Sequence, residues 1–303
     1  MTRRTPRALA LSILSLLLAT GAAAGAEEGV SLWLGEALPD NPVSVTRKGA
    51  VAPRFSDARR DAFMLPMFKV DRTSIAAETT LIAIRNPTDQ AHEVDISYFV
   101  DHVFDEGAPV PPDLVQSITL ESKEIRTFNL RDLPEITGGQ GNDAVIRGWL
   151  MVEHADGAGD ALSADWFRAD DAENFAGGDR MVDIDTSYTC TLWDFRYLVG
   201  GPFTGGTRLD VFIDTPLGPG TPSFFITFFD EAGNDLGTVG VAAARQVREL
   251  DVADLLDELA GSPSPFGGME ITFTGGTNGG LVMGTYRASG RLSVSMDGTC
   301  LVI

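Results

Sequence analysis

The chemical groups this chain has in greatest supply are carboxylates, 43 Asp and Glu against 23 Lys and Arg. Those gathered in loop-like stretches are Asp101, Asp105, Glu106 and Asp113, then Glu135 and Asp143, then Asp170, Asp171, Glu173 and Asp179. Carboxylates on adjoining loops, together with backbone carbonyls, are the oxygen donors that calcium takes. Asp101, Asp105, Glu106, Asp170 and Asp171 are therefore the candidate calcium ligands, and calcium is the one cofactor the chemistry suggests. The plain alternative is that acidic loops only keep the chain solvated, and no spaced calcium-loop motif is present.

Other groups point away from catalysis. His92, His102 and His154 are the three histidines, and a straight strand between His92 and His102 would hold them roughly 33 Å apart. They are expected at the polar surface. His92-Glu93 opens like a zincin motif, but Ile96 stands where the second histidine is needed. Met64, Met67 and Met151 lie beside Phe63, Phe68 and Trp149 and are expected in the core. Trp149, Trp166 and Trp193 fall within strands, where tryptophan packs a core or, facing outward, stacks on a sugar. Gly139-Gln140-Gly141-Asn142-Asp143-Ala144 fits a loose dinucleotide pattern but opens a strand instead of a helix, so it is a turn. No Gly-x-Ser-x-Gly elbow, phosphate loop or cysteine–histidine pairing occurs. Catalytic residues are not assigned.

The elements that must position these groups repeat. Thr79–Val100 and Thr207–Asp230 each read as a strand, a proline-opened turn and a second β-branched and aromatic strand. Further on, Ile125, Phe128 and Leu130 break strict alternation at the same place as Val247, Leu250 and Val252, 122 positions later. Asn129 and Asp251 follow as N-caps of short helices; the second is expected over Val252–Ala260 with Gly261 as its stop. A repeat this long means two tandem domains, which are placed at 62–185 and 186–303 after an extended N-terminal arm at 27–61. In the first domain the strands are expected at 63–70, 79–85, 93–101, 117–120, 124–130, 145–154 and 161–168, with an eighth at 181–185. Strands of alternating direction would bring the loops after the third, fifth and seventh to one end, gathering the calcium candidates there.

Residues 1–26 read as a signal peptide: Arg3, Arg4 and Arg7, an apolar run from Ala8 to Leu18, and Ala24-Gly25-Ala26 before Glu27. The apolar run is shorter than the roughly 20 residues of a membrane helix. The mature chain is therefore expected to be soluble and exported, periplasmic or extracellular. In that compartment Cys190 and Cys300, the two cysteines of the chain, favour a disulfide. Without the signal, 20 basic residues face 43 acidic ones, which disfavours nucleic acid and anionic membrane surfaces as partners.

In layout the mature chain resembles exported bacterial proteins built of tandem immunoglobulin-like or fibronectin-III-like β-sandwiches. The resemblance implies an all-β fold and a binding or structural role. The expectation is a non-enzymatic binding, adhesive or structural module of the cell envelope or extracellular space, with a protein or glycan partner. The alternative is a hydrolase or a carbohydrate-active or carbohydrate-binding protein using the first-domain loops.

Overall fold

A computed structural model describes residues 44–45, 62–101, 112–137, 144–155, 162–171, 175–184, 190–199, 205–259, 264–288, 293–296 and 299–300. The signal segment, Trp33, His102, Asp105, Glu106, Asp143 and Glu173 lie outside the described residues. Among those described, nearly all regular structure is antiparallel strand.

The strands through residue 184 are β1 (Ser44–Val45), β2 (Ala62–Asp71), β3 (Thr79–Arg85), β4 (His92–Val100), β5 (Leu114–Leu120), β6 (Ile125–Asn129), β7 (Val145–His154), β8 (Ser163–Asp170), β9 (Phe175–Arg180) and β10 (Val182–Ile184). They form a six-stranded sheet, β1-β5-β4-β7-β2-β10, and a four-stranded sheet, β6-β3-β8-β9. Between the two sheets lies a core that includes Leu65, Phe68, Ile82, Val94, Ile96, Tyr98, Phe128, Leu150 and Trp166.

The later strands are β11 (Leu192–Leu198), β12 (Gly205–Ile213), β13 (Gly218–Phe229), β14 (Asp235–Ala243), β15 (Val247–Asp251), β16 (Phe266–Phe273), β17 (Gly280–Ala288), β18 (Ser293–Met296) and β19 (Thr299–Cys300). Their sheets are β14-β13-β16-β11-β19 and β15-β12-β17-β18. With β1 set aside, the order is the same in both halves, fourth-third-sixth-first-ninth against fifth-second-seventh-eighth. The constant-type immunoglobulin order places the first, second, fifth and fourth strands together and the third, sixth and seventh together. Here the second–fifth and third–sixth pairs are kept, while the first, fourth and seventh strands have changed sheets and an eighth and a ninth strand are added.

The expected caps are in place. The Asn129 side chain accepts from the Arg131 amide at the head of a 3-10 turn, Leu130–Asp132, and Asp251 accepts from the Ala253 amide at the head of the helix Val252–Asp257. That helix is shorter than expected, closing at Glu258, whose amide bonds back to Leu255 and Leu256. β9 was not foreseen, because Gly177 and Gly178 empty its side-chain pattern. Phe167 stands opposite Gly178 and its ring lies against the position a Cβ would take.

Two features of the first sheet prepare the site. Pro66 falls where the β2–β7 register shifts between Leu65 and Phe68, as expected for a residue that donates no ladder bond. Gly148 pairs with both Phe68 and Val100, and any Cβ there would strike the Phe99 carbonyl and the Phe68 ring. The backbones and rings of β2, β4 and β7 can close together only over glycine.

Candidate functional site

Strands β2 and β7 are buried on both faces over most of their length, and so is the end of β4. One face carries the core of the first half. The other carries Met64, Met67, Phe99, Trp149 and Met151, which join the apolar cluster of the second half with Leu209, Val211, Phe212 and Val247. Trp149 stacks on Phe99 at 3.7 Å between ring centroids, tilts against Phe212 at 4.9 Å, and donates its Nε1 proton to Gln246 Oε1 at 3.3 Å. The methionines are core residues as expected, but the core they enter lies between the two halves.

Charged residues are set into this seam. Arg168 on β8 and Asp210 on β12 pair at 2.7 Å with side chains only 6 % and 4 % exposed. The same Arg168 Nη2 donates to the Met67 carbonyl at 3.0 Å, beside the Pro66 register shift. Lys69 on β2 bridges Glu78 at 2.9 Å and Glu249 on β15 at 3.1 Å. Glu249 also meets Arg147 at 3.4 Å and Arg208 at 3.8 Å, and Arg208 reaches Asp251 at 3.6 Å. The first half supplies Lys69, Arg147, Arg168 and Glu78; the second supplies Arg208, Asp210, Glu249 and Asp251. The excess positive charge of one side thus meets the excess negative charge of the other. An ion-paired seam adds little net stability over an apolar one of equal volume, because the ions must be desolvated. Its physical effect is on orientation, since a displaced seam would leave charges buried without partners.

The seam also sets how its carboxyls titrate. Burial raises Asp210 to about 6, against the pull of Arg168. Burial also pushes Glu249 upward, but Lys69 and Arg168 outweigh it and hold the group at about 2. For Asp210 the raised value means a stabilising contribution that is full below 3.8 and lost as pH rises through about 6. For Glu249 the contribution is full above 4.5 and lost as pH falls through about 2. From these two groups stability should fall between pH 4.5 and about 6. Urea midpoints measured across that window should show the fall in the native chain and a flat line in Asp210→Asn. An equal slope in both would contradict the assignment.

Where the seam opens to solvent it forms a groove of about 390 Å³, lined by Asp101, Arg147, Arg245, Arg248 and Glu249 among others. Arg245 Nη1 donates to the Asp101 carbonyl at 2.7 Å and approaches its carboxylate at 3.4 Å. Of the calcium candidates, then, Asp101 faces an arginine of the other half. Asp170 is buried at the end of β8 and Asp171 is exposed. The ends of β4, β6 and β8 do lie at one end of the first half, as the registers with β7 and β3 show. Among the described residues no three His, Cys, Asp or Glu side chains converge as a cation site would require.

No known protein family, curated protein or solved structure matches the chain.

One expectation is corrected, and the tryptophans take the core reading. His92 and His154 are buried, not at the surface, with rings 4.6 Å apart at the centroids and His92 Nε2 within 2.7 Å of Thr88 Oγ1. Strand parity carried that signal, since His92 is in phase with Val94 and Ile96, and His154 with Leu150 and Val152. None of Trp149, Trp166 and Trp193 faces outward, each being at most 5 % exposed, so they offer no sugar-stacking platform. The seam charges were missed altogether. Arg168 shares the inward parity of Trp166, with its guanidinium 5.6 Å from that ring, and a strand arginine on the apolar face was the readable sign of a buried partner.

Proposed function

We propose that the chain is an exported, non-enzymatic binding, adhesive or structural module that works by presenting a surface of fixed geometry. It is built of two tandem immunoglobulin-like sandwiches that arose by internal duplication. The observation supporting this is the seam itself: the two halves share one strand order and are joined through a common core and the ion pairs Arg168–Asp210, Lys69–Glu249, Arg147–Glu249 and Arg245–Asp101. A fixed relation between two sandwiches suits a protein whose work is to hold a partner in register. Within that reading Cys190 and Cys300 form a disulfide. Its support is that β19, bearing Cys300, pairs with β11, which begins two residues after Cys190. Alkylation before reduction should then leave both cysteines unmodified.

Asp101, Asp105, Glu106, Asp170 and Asp171 are the proposed cation or partner end of the module. Thermal melts of residues 27–303 with calcium and with EDTA at matched ionic strength test this. Binding to the folded state alone should add about 2.7 kcal/mol at a hundredfold excess over the dissociation constant. Asp105→Ala and Asp170→Ala should abolish the rise, and no rise in the native chain would remove calcium from the proposal. Turnover of glycan or peptide panels, lost in the same variants, would instead make the protein a hydrolase.

A further inference from the structure

We propose that the outer edge of β14 docks a second copy of this chain, the two β14 strands pairing antiparallel about a two-fold axis at Val239. Among the described residues β14 is the last strand of its sheet and pairs on one side, with β13. It is nine residues long, its only charge is Asp235 at the first position, and neither charge nor proline follows through Ala244. Long uncharged edges are what natural sheets avoid unless something covers them, because the row of unpaired amides and carbonyls templates another strand.

The other sheet ends are protected in the usual ways. β6 carries Arg126, and β15 carries Arg248, Glu249 and Asp251. β1, β10 and β19 are two or three residues long, while β9 and β18 lie against each other across the two halves. The informative comparison is β5, the strand that holds in the first half the place β14 holds in the second. β5 is covered: β1, from the chain upstream, pairs with it antiparallel at Ser44↔Ser117 and Val45↔Gln116. Among the described residues no strand pairs with the corresponding outer edge of β14.

Two molecules each left with one such edge can satisfy both at once, because an antiparallel strand is complementary to its own two-fold copy. The register supports this occupant. The β13–β14 register places one extra residue of β14, Leu236, between the pairs Phe228↔Gly237 and Phe229↔Asp235, whereas the shift between Pro222 and Phe224 lies on β13, so β14 itself runs regularly from Gly237 to Ala243. An axis at Val239 sets Thr238 opposite the partner's Gly240. Both positions are exposed, and Gly240 has no side chain to obstruct approach; beside it Phe225, 39 % exposed, offers apolar surface. With the axis at Val239, the irregularity at Leu236 and its two-fold mate bound the pairing to Gly237–Val241 and the symmetry closes it, so the product is a dimer and not a fibre.

The test is sedimentation velocity of residues 27–303 at about 20 mM and about 300 mM salt. Net charge opposes association, so screening should increase the dimer fraction. Thr238→Lys and Thr238→Glu each place like charges at diagonal positions about 7–8 Å apart across the axis. Each variant alone should be monomeric with an unchanged circular dichroism spectrum and melt, and an equimolar mixture of the two should dimerise again. A native chain monomeric at both salts would overturn the proposal. So would dimers persisting in both variants, or a failure of the mixture to restore them, which would mean that a different strand occupies the edge.

Discussion

Replacing Arg168 with methionine should lower the unfolding free energy by about 3–5 kcal/mol at pH 7, because it strands Asp210 as a buried charge without its counter-ion. The geometry leaves Asp210 no substitute. Its Oδ2 is the atom held by Arg168 at 2.7 Å, and its Oδ1 has no hydrogen-bond partner among the described residues. The double variant Arg168→Met with Asp210→Leu should regain most of the loss, since desolvated ions are replaced by apolar groups of similar volume. The Arg168→Met cost should also shrink at pH 5, where an Asp210 titrating at about 6 is already largely neutral. Urea titrations of the native chain, both single variants and the double variant at the two pH values read all of this. A double variant as unstable as Arg168→Met alone would show that packing at β8, not the charge pair, sets the cost.

The second large effect is expected at Trp149. Truncation to alanine removes the ring stacked between Phe99 and Phe212 and the bond to Gln246, a loss of about 3–5 kcal/mol. Unlike truncation of Trp166, which lies in the core of the first half alone, it acts at the joint between the halves. Its consequence should therefore be loss of coupling: the native chain melts in one step, and Trp149→Ala in two. Trp166→Ala serves as the control, expected to lower the first half's stability with no second step created by uncoupling.

Much of the strand layout could be read from the chain because each sandwich has a wet face, and alternation reports a half-buried sheet. The caps at Asn129 and Asp251 were legible for a similarly local reason, a short polar side chain just before a break in strand period. β2 is expected as a strand over 63–70 with Met64 and Met67 in a core, but cover on both of its faces is not. Its run Phe63-Met64-Leu65-Pro66-Met67-Phe68 has no alternation at all, the signature of a strand covered on both sides. That run, with Trp149 and Met151 out of phase with Leu150 and Val152, was the available sign that a second body covers the sheet. The pairing of Lys69 with Glu249 and of Arg168 with Asp210 lay beyond it, because those partners are set by the docking of two halves and not by any local spacing. The acidic loops drew the first reading for a simpler reason. In a chain with 43 carboxylates, abundance and clustering look alike in the sequence, whereas the structure sets Asp101 against an arginine and leaves Asp171 exposed.

The claim that the two sandwiches behave as one body is tested most directly by scanning calorimetry of residues 27–303 near pH 5. A single transition is expected, with the van't Hoff enthalpy equal to the calorimetric enthalpy of the whole chain. Two resolved transitions in the native protein, or a van't Hoff enthalpy near half the calorimetric value, would mean that the halves unfold independently and that the seam does not join them.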